Sequence, residues 1–344
     1  MTTTAKTTAI GSLPHHNIDA ALAASFQLDI PYLPQIPIRN PWEYMIAQAL
    51  EGLPGLIVDK DGTVTLDVTV WAGRSRTFNE RLLNAFSVMG AKRDAFESFE
   101  PSAATSSGWQ PFLWELEERG VKLAKIQIAG PLTAQWALRL SNGANITTYP
   151  ELASQIYRLV LARALAMSRR LQAGGIQPIL FLDEPGLYGL NHSDPLHALA
   201  LQEVKFLVQA LRKESVIVGL HCCSNTDWNA VLNLGLDYIS IDTHLSLESL
   251  LSTGGAAVQY VEGGGKFSLG VIPTSKELTR TPNAKDLLAE LLDQFSRHWP
   301  TRPDLVKRVL SQALYTPACG LALHNPADAE VILSTLAEFS KHLN

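Results

Sequence analysis

Residues 179–185 read Ile-Leu-Phe-Leu-Asp-Glu-Pro, a short apolar run that ends in two carboxylates and a proline. A run without polar alternation is typical of a strand in a parallel sheet that helices cover on both faces. Similar runs that stop near Gly, Pro, Asp or Ser recur along the chain, and each is a predicted strand. The predicted strands are Thr7–Ser12, Pro31–Ile36, Leu123–Ala129, Ile179–Asp183, Val216–His221, Tyr238–Thr243, Phe267–Ile272 and Ala313–Pro317.

Amphipathic segments separate these runs, and each is predicted to form a helix. Eight strands that alternate with eight helices predict an α/β fold, the closed (β/α)8 TIM barrel. A doubly wound open sheet is the competing interpretation, which the number of repeats in one domain-sized chain disfavours. The predicted helices are Ile18–Phe26, Pro41–Leu50, Pro150–Gln172, Leu196–Arg212, Asp227–Leu234, Leu247–Val261, Ala284–His298 and Pro326–His342.

The region from about residue 52 to residue 122 does not follow this repeat. Leu56–Asp59 and Thr63–Val70, which flank a polar Asp-Gly turn, predict a β-hairpin. Phe78–Phe99 and Trp109–Arg119 are predicted helices, with a polar loop over 101–108 between them. We interpret the region as a β-hairpin and helical insertion after the second strand, within a single domain that spans residues 1–344.

The composition is that of an ordinary globular protein, with 46% hydrophobic residues, 18% charged residues and a net charge of −5. A negative net charge argues against a nucleic-acid partner. The first residues lack the apolar core of a secretory signal, and no run of about 18 apolar residues predicts a membrane span. Three cysteines do not form a disulfide framework. We therefore expect a cytoplasmic protein that binds neither nucleic acid nor membrane.

Reactive side chains are predicted to gather at the mouth of the barrel, where the carboxyl ends of the strands meet. Residues i and i+2 of a strand face the same side, so His221 and Cys223 point into the mouth and Cys222 points away. With Asp242 and Cys319 they supply one nitrogen, two sulfur and one oxygen donor, a set that suits tetrahedral Zn²⁺. The alternative is that these cysteines are buried core thiols near a histidine.

Two further motifs at the mouth have both a functional and a structural interpretation. Asp183 can accept a hydrogen bond from a substrate ammonium group, or it and Glu184 can belong to a capped turn before Pro185. In Ile-Gly-Ser at 10–12, the glycine permits close approach to the backbone, so an N–H there can bind a carboxylate. The alternative for that glycine is a turn that ends the strand.

Several short motifs, in their order and spacing, resemble the C-terminal catalytic barrel of cobalamin-independent methionine synthase. That barrel belongs to a wider superfamily that includes uroporphyrinogen decarboxylase. The resemblance runs through most of the chain and implies a (β/α)8 barrel that methylates homocysteine. The motifs are Ile-Gly-Ser at 10–12, Asn-Pro-Trp-Glu-Tyr at 40–44, Gly-Pro-Leu-Thr at 130–133, Asp-Glu-Pro at 183–185, His-x-Cys at 221–223, Ser-Ile-Asp at 240–242 and Cys-Gly-Leu at 319–321.

This resemblance implies a role for each matched residue, with glutamate usual in the family where this chain has Asp242. The zinc ligands it implies are His221, Cys223, Asp242 and Cys319. The homocysteine contacts it implies are Gly11 and Ser12 for the carboxylate, and Glu43 and Asp183 for the ammonium group. Supporting residues behind this site are expected at Glu184, His244 and Thr274. Zinc would stabilise the substrate thiolate, which attacks a methyl group in line.

Two departures from the family pattern concern the methyl donor. Full-length family members have a second, N-terminal barrel, which this sequence does not contain. The segment Gly-Val-Ile-Pro-Thr-Ser at 270–275 also lacks the histidine that helps to protonate the departing folate nitrogen in the family. Short single-barrel relatives take the methyl group from a corrinoid, so we expect a methylated corrinoid such as methylcobalamin as donor, with a corrinoid protein as a candidate partner. Methyltetrahydrofolate is the alternative donor.

Other functions stay open at this point. A thiol methyltransferase for another small thiol would not need a carboxylate pair for an ammonium group. A uroporphyrinogen-decarboxylase-like lyase would need arginines for the substrate propionates, and beyond Arg39 the segments at the mouth contain few. A non-catalytic zinc-binding or corrinoid-binding protein would keep the ligands but show no turnover.

Overall fold

A computed structural model describes residues 6–87, 93–191, 194–275 and 283–343 of the chain. Its strands are β1 (Lys6–Thr7), β2 (Leu56–Val58), β3 (Val64–Leu66), β4 (Leu123–Ala129), β5 (Arg139–Leu140), β6 (Gln177–Asp183), β7 (Ile217–Cys222), β8 (Tyr238–Asp242), β9 (Lys266–Ile272) and β10 (Leu314–Pro317). Seven of them form one sheet in the order β1-β10-β9-β8-β7-β6-β4, with every pair parallel. The predicted α/β class with a parallel sheet is therefore confirmed.

The predicted second strand, Pro31–Ile36, is not a regular strand. Tyr32 makes a single parallel bridge to Lys125 in β4, and Gln35 makes another to Ser12, which follows β1. The prolines at positions 31 and 34 have no N–H to donate, so a continuous ladder cannot form. The segment nevertheless pairs with the chain at both edges of the seven-stranded sheet.

The predicted first strand, Thr7–Ser12, is too long, because regular pairing in β1 ends at Thr7. The amide of Thr8 still donates to the carbonyl of Tyr315 at 3.0 Å. Gly11 then takes a φ of 145°, a value that favours glycine, and Ser12 after it makes its single bridge to Gln35. The other six predicted strands overlap β4 and β6 to β10, with ends shifted by at most two residues.

Helices connect these strands, and the described helices include none that is long and apolar enough to cross a bilayer. The predicted helix Leu247–Val261 is divided in two, because Gly254 takes a φ of 61°. The predicted helix Pro41–Leu50 begins as a 3-10 turn, Pro41–Glu43. The α-helices are α1 (Ile18–Ser25), α2 (Met45–Ala49), α3 (Val68–Ser87), α4 (Trp109–Glu118), α5 (Pro131–Ala137), α6 (Pro150–Ala173), α7 (Pro195–Lys213), α8 (Trp228–Leu232), α9 (Leu247–Leu251), α10 (Gly255–Glu262), α11 (Ala284–His298), α12 (Pro303–Gln312) and α13 (Pro326–Lys341).

In the region 52–122, β2 and β3 form an antiparallel hairpin to which β5 adds in parallel. The predicted strand Thr63–Val70 is too long, because Asp67 accepts the amide N–H groups of Thr69 and Val70 and α3 begins there. The predicted helix Phe78–Phe99 therefore starts ten residues too late. Its part over 88–92 lies outside the described residues, and 93–99 is a 3-10 helix.

The face of the sheet that carries the site changes from apolar to polar along β6. Ile179, Phe181 and Asp183 alternate along β6 and so share that face. The first two belong to a small apolar cluster that is distinct from the larger core packed by the helices. Asp183 stands at the carboxyl end of β6, opposite His221 of β7. Since the strands are parallel, their carboxyl ends bring polar side chains together at one edge.

Candidate metal centre

His221 offers a free nitrogen at the carboxyl end of β7. Its Nδ1 lies 3.0 Å from Oγ of Ser240, the residue opposite it on β8. Its Nε2 is buried and has no hydrogen-bond partner in the described part of the chain. A buried nitrogen without a partner is costly, and a ring held at Nδ1 directs Nε2 towards a ligand.

Cys223 and Cys319 complete a cluster with this nitrogen. Strand alternation predicted this for Cys223, and the common edge of the strand ends predicted it for Cys319. The three ligand atoms of His221, Cys223 and Cys319 all lie within 4.8 Å of one another. This spacing is close to what one zinc ion requires, with bonds of about 2.0–2.3 Å. The Cys319 thiol, which can donate a hydrogen bond, and the His221 imidazole lower the pKa of Cys223 to about 4. The same interaction, together with burial, raises the pKa of Cys319.

Cys222 faces away from this cluster, also as the alternation predicted. It is fully buried in the larger hydrophobic core, and its thiol lies 3.3 Å from the carbonyl oxygen of Ser224. Burial raises the pKa of Cys222 to about 12. The neighbouring cysteines 222 and 223 thus occupy opposite environments.

Asp242 lies outside the three-residue cluster that the described residues form. Its Oδ1 accepts the amide N–H groups of His244 at 2.8 Å and Leu245 at 3.3 Å, so the carboxylate closes the turn after β8. Burial raises the pKa of Asp242, and the charge of Cys223 adds to this effect. The aspartate is therefore near the thiolate but is engaged by backbone amides.

A cavity of about 370 Å³ opens beside the cluster. Its volume is in the range of pockets that hold one small molecule. Three of the four predicted substrate-binding residues line it, and Gly11 does not. The lining residues are Ile10, Ser12, Gln35, Pro37, Glu43, Tyr44, Met45, Asp183, Pro185, His221, Cys223, Cys319, Gly320, Ala322 and Leu323.

Asp183 offers the cavity an unused acceptor. Its Oδ1 is buried and has no hydrogen-bond partner among the described residues. Burial raises the pKa of Asp183 to about 6, although His221 and Lys125 oppose this shift. A buried carboxylate oxygen with free capacity is suited to a cationic group of a ligand.

Glu43 reaches the cavity from the 3-10 turn after the Pro31–Ile36 segment, and it is 1% exposed. Its Oε2 accepts the amide N–H of Ile36 at 2.8 Å. Its Oε1 accepts both the amide and the hydroxyl of Ser107, at 3.1 and 2.6 Å. These contacts fix the carboxylate in one position and tie the 101–108 loop to the cavity wall.

Gly11 has a packing role instead of a place in the cavity wall. A Cβ atom at this position would lie 2.3 Å from Nε2 of Gln127, so only glycine lets that side chain approach. The carbonyl of Gly11 accepts the amide of Gln35 at 3.0 Å. Ser12, the next residue, lines the cavity.

Glu184 joins two of the sequence motifs. Its Oε2 accepts the amide and the hydroxyl of Thr133, at 2.7 and 2.6 Å, and its Oε1 accepts the amide of Leu132 at 3.2 Å. The carboxylate thereby caps α5. A Cβ atom at Gly130 would lie 2.0 Å from Oε1, which explains why glycine stands there. Glu184 therefore fixes the end of β6 beside Asp183.

The other two expected supporting residues, His244 and Thr274, contact neighbouring elements of the fold. Nε2 of His244 lies 3.1 Å from the carbonyl oxygen of Val271, and its Nδ1 lies 3.5 Å from Glu290. The carbonyl oxygen of Thr274 lies 3.0 Å from Nε2 of His324. Val271 and Thr274 lie at or just after the end of β9, and Glu290 belongs to α11.

Sequence reasoning missed three polar residues near the site. Ser240, which holds His221, shares a strand face with Asp242 by simple alternation. Lys125 and Gln127 interrupt the apolar run of β4 with the same spacing of two, and both are buried. A lysine inside an apolar strand was the signal that could have identified this pair.

No protein-family model matches the chain, and no curated protein matches it. Among solved structures, the chain is similar to one described as the X-ray structure of the endo-beta-1,4-mannanase from Thermotoga petrophila. The two share 11% sequence identity with a TM-score of 0.25, over 67% of this chain and 73% of the mannanase chain. These comparisons therefore assign no function to the chain.

Proposed function

We propose that the chain is a zinc-dependent methyltransferase, similar to cobalamin-independent methionine synthase, that transfers a methyl group to the thiol of homocysteine and forms methionine. One observation carries the proposal: the ligand atoms of His221, Cys223 and Cys319 lie within 4.8 Å of one another beside a cavity of about 370 Å³. We also propose that residues 31–36, which pair with the chain at both sheet edges, close the sheet into a (β/α)8 barrel.

The donor atoms fit zinc. One imidazole nitrogen and two sulfurs are ligands that zinc prefers, and the buried Nε2 of His221 has no other partner in the described residues. Three protein donors are typical of catalytic zinc sites. Asp242 stays the proposed fourth donor. Its Oδ1 accepts the amides of His244 and Leu245, so its other carboxylate oxygen, Oδ2, would be the metal ligand. Bound zinc would supply Lewis-acid stabilisation of a thiolate at neutral pH.

The polar groups of the cavity support an amino-acid thiol as acceptor. Asp183 has a free buried oxygen, and Glu43 is held beside the cavity by Ser107 and Ile36. Two carboxylates in a small cavity favour a ligand with an ammonium group. The amide and hydroxyl of Ser12, on the same wall, are candidate donors to the ligand carboxylate.

The role of the protein in the reaction is to position the reactants. The acceptor sulfur forms a new bond to the methyl carbon while the bond between methyl and donor breaks, so the two partners must lie in line. Glu43 and Asp183 would orient the acceptor through its ammonium group. Apolar residues such as Ile10 and Met45 line the cavity and would limit the access of water to the sulfur.

For the donor we propose a methylated corrinoid, presented free or by a corrinoid protein, because residues 270–275 contain no histidine. One contact favours methyltetrahydrofolate as the second candidate. Nε2 of His324 lies 3.0 Å from the carbonyl of Thr274, so a histidine from another loop stands beside that segment. A protonated histidine there could serve a leaving nitrogen.

Methionine formation tests the proposal. We expect the purified protein to convert homocysteine to methionine with methylcobalamin, and Cys222→Ala, which changes the neighbouring core cysteine, to keep this activity. Cys319→Ser is expected to lose it. If neither methylcobalamin nor methyltetrahydrofolate supports methionine formation, the proposed function is wrong. Turnover with folate alone would reject the corrinoid donor and keep the acceptor.

The acceptor can be tested separately through its ammonium group. Asp183→Asn removes one charge without changing the size of the side chain, and we expect the KM for homocysteine to rise about tenfold or more. The KM for 2-mercaptoethanol, a thiol without an ammonium group, should not change. If Asp183→Asn leaves homocysteine unaffected, another small thiol is the substrate.

A further inference from the structure

Lys125 is a buried cation next to the cavity that the proposed reaction does not use. It stands in the middle of β4 and is 2% exposed. Its ammonium group donates to the carbonyl of Ile10 at 2.7 Å and to Oε1 of Gln127 at 3.0 Å, and it lies 5.1 Å from the centre of the Phe181 ring. Burying an ammonium group is costly, so its contacts need a physical reason.

From this lysine a chain of buried amides runs outward. Nε2 of Gln127 donates to Oε1 of Gln35 at 3.2 Å and to the carbonyl of Leu33 at 2.8 Å. Nε2 of Gln35 donates to Oε1 of Gln48 at 2.7 Å. Nε2 of Gln48 donates to the carbonyl of Thr105 at 2.9 Å. The three glutamines are each 3% exposed or less.

The groups at the two ends of this amide chain fix the same donor-to-acceptor orientation for its glutamines. An ammonium group can only donate, so Gln127 must turn its oxygen towards Lys125 and its nitrogen outward. At the other end, the Thr105 carbonyl can only accept, so Gln48 must turn its nitrogen towards it. Gln35 between them is therefore held in one of its two amide orientations. Hydrogen bonds in such a chain also strengthen one another.

The amide chain reaches the walls of the cavity. Lys125 holds the carbonyl of Ile10 directly, and it holds the side chain of Gln35 through Gln127. Both Ile10 and Gln35 line the cavity. The outer end at Thr105 lies in the 101–108 loop, whose Ser107 holds Glu43. A single buried charge thus connects three parts of the cavity wall.

We propose that Lys125 is a positioning residue for the acceptor-binding cavity, which fixes the orientation of Gln35 and the place of the 101–108 loop through the amide chain. This inference rests on the proposed function for its link to catalysis. It assigns Lys125 no contact with the substrate and no role in holding metal.

Two variants test it. Lys125→Met removes the charge at similar size, and Gln127→Glu keeps the lysine but removes the donor that faces Gln35. We expect each to raise the KM for homocysteine about tenfold, with kcat changed about twofold or less and with wild-type zinc content. Hydrogen exchange of the 101–108 amides is expected to accelerate in both. Gln155→Met is the control, because Gln155 is an equally buried amide that bonds to Trp71 and Ser75 instead.

The exchange measurement separates this inference from the proposed function. A wild-type protein without methyl transfer would refute the function, while faster exchange over 101–108 in Lys125→Met, and not in Gln155→Met, would still support the amide chain. Unchanged exchange in both Lys125→Met and Gln127→Glu would overturn it. An unchanged KM in an active Lys125→Met protein would likewise overturn the positioning role.

Discussion

Ser240 holds the imidazole of His221, and Ser240→Ala removes this contact without changing any proposed metal ligand. The hydroxyl lies 3.0 Å from Nδ1, and Ser240 is 1% exposed. When Nδ1–H donates to this oxygen, Nε2 carries the lone pair that a metal needs. In the variant, Nδ1 would be buried without a partner, and the competing tautomer with its proton on Nε2 would gain population.

The expected effect follows from one buried hydrogen bond. Losing such a bond costs about 1–1.5 kcal/mol, and losing the partner of a metal-bound histidine typically lowers metal affinity about 10- to 100-fold. We therefore expect the Kd for zinc to rise at least about tenfold in Ser240→Ala, measured by competition with a chromogenic chelator.

Ser268→Ala is the matched control for this measurement. Ser268 pairs with Ser240 in the register of β8 and β9, is equally buried, and has a hydroxyl without a hydrogen-bond partner among the described residues. Its replacement should leave the zinc affinity unchanged. If Ser240→Ala binds zinc as tightly as wild type, or if both variants lose affinity equally, the assigned role of Ser240 is wrong.

Three further predictions concern stability, each measured by urea unfolding. Glu51→Gln leaves the guanidinium of Arg163, whose side chain is 3% exposed, without its ion pair at 2.8 Å, and should cost about 3 kcal/mol at neutral pH. Burial raises the pKa of Glu51, but the charge of Arg163 and hydrogen bonds from the 102–105 turn outweigh this and lower the pKa below its usual 4.5. The stabilisation by this ion pair is thus present above pH 4.5 and is lost as the pH falls below 4.5 through the lowered pKa. The stability difference between Glu51→Gln and wild type should therefore shrink on acidification below pH 4.5, and a constant difference would contradict this. Gly130→Ala, which places Cβ 2.0 Å from Oε1 of Glu184, should cost about 2–3 kcal/mol, and a neutral effect would refute the close approach. Gly73 lies in the interior of α3, where an added Cβ atom would meet nothing within 4 Å outside the backbone of its own helix. Gly73→Ala should therefore stabilise the protein by about 0.5–1 kcal/mol, and a loss of stability would contradict this.

The strands could be predicted where the signal is local. Continuous apolar runs located β4 and β6 to β10 within two residues of their ends. Proline and glycine explain two differences between the predicted and the observed elements. The prolines of Pro31–Ile36 prevent a continuous strand ladder, and Gly254 divides the predicted helix Leu247–Val261, whose apolar pattern is continuous. The sequence pattern predicts a strand at Val68–Val70 because these residues have strand propensity. The side chain of Asp67 instead caps a helix there, so α3 begins at Val68.

The candidate site was predictable to the extent that strand alternation determines direction. Alternation separated Cys222 from Cys223, and the common edge of the parallel strands brought the distant Cys319 to Cys223. Alternation does not predict whether a carboxylate at the end of a strand binds a metal or caps the turn that follows. Asp242 shows this, because its carboxylate accepts hydrogen bonds from two backbone amides of its own turn. The amide chain from Lys125 depends on contacts across the 101–108 loop, which no local pattern encodes.

Zinc content per chain tests the central claim most directly. We predict about one zinc in the wild-type protein and in Cys222→Ala, and its loss in both Cys223→Ser and Cys319→Ser, measured by elemental analysis after purification without chelator. Wild-type protein that contains no zinc and takes up none when it is supplied would contradict the account. Zinc retained equally in all four proteins would place the metal elsewhere and contradict it as well.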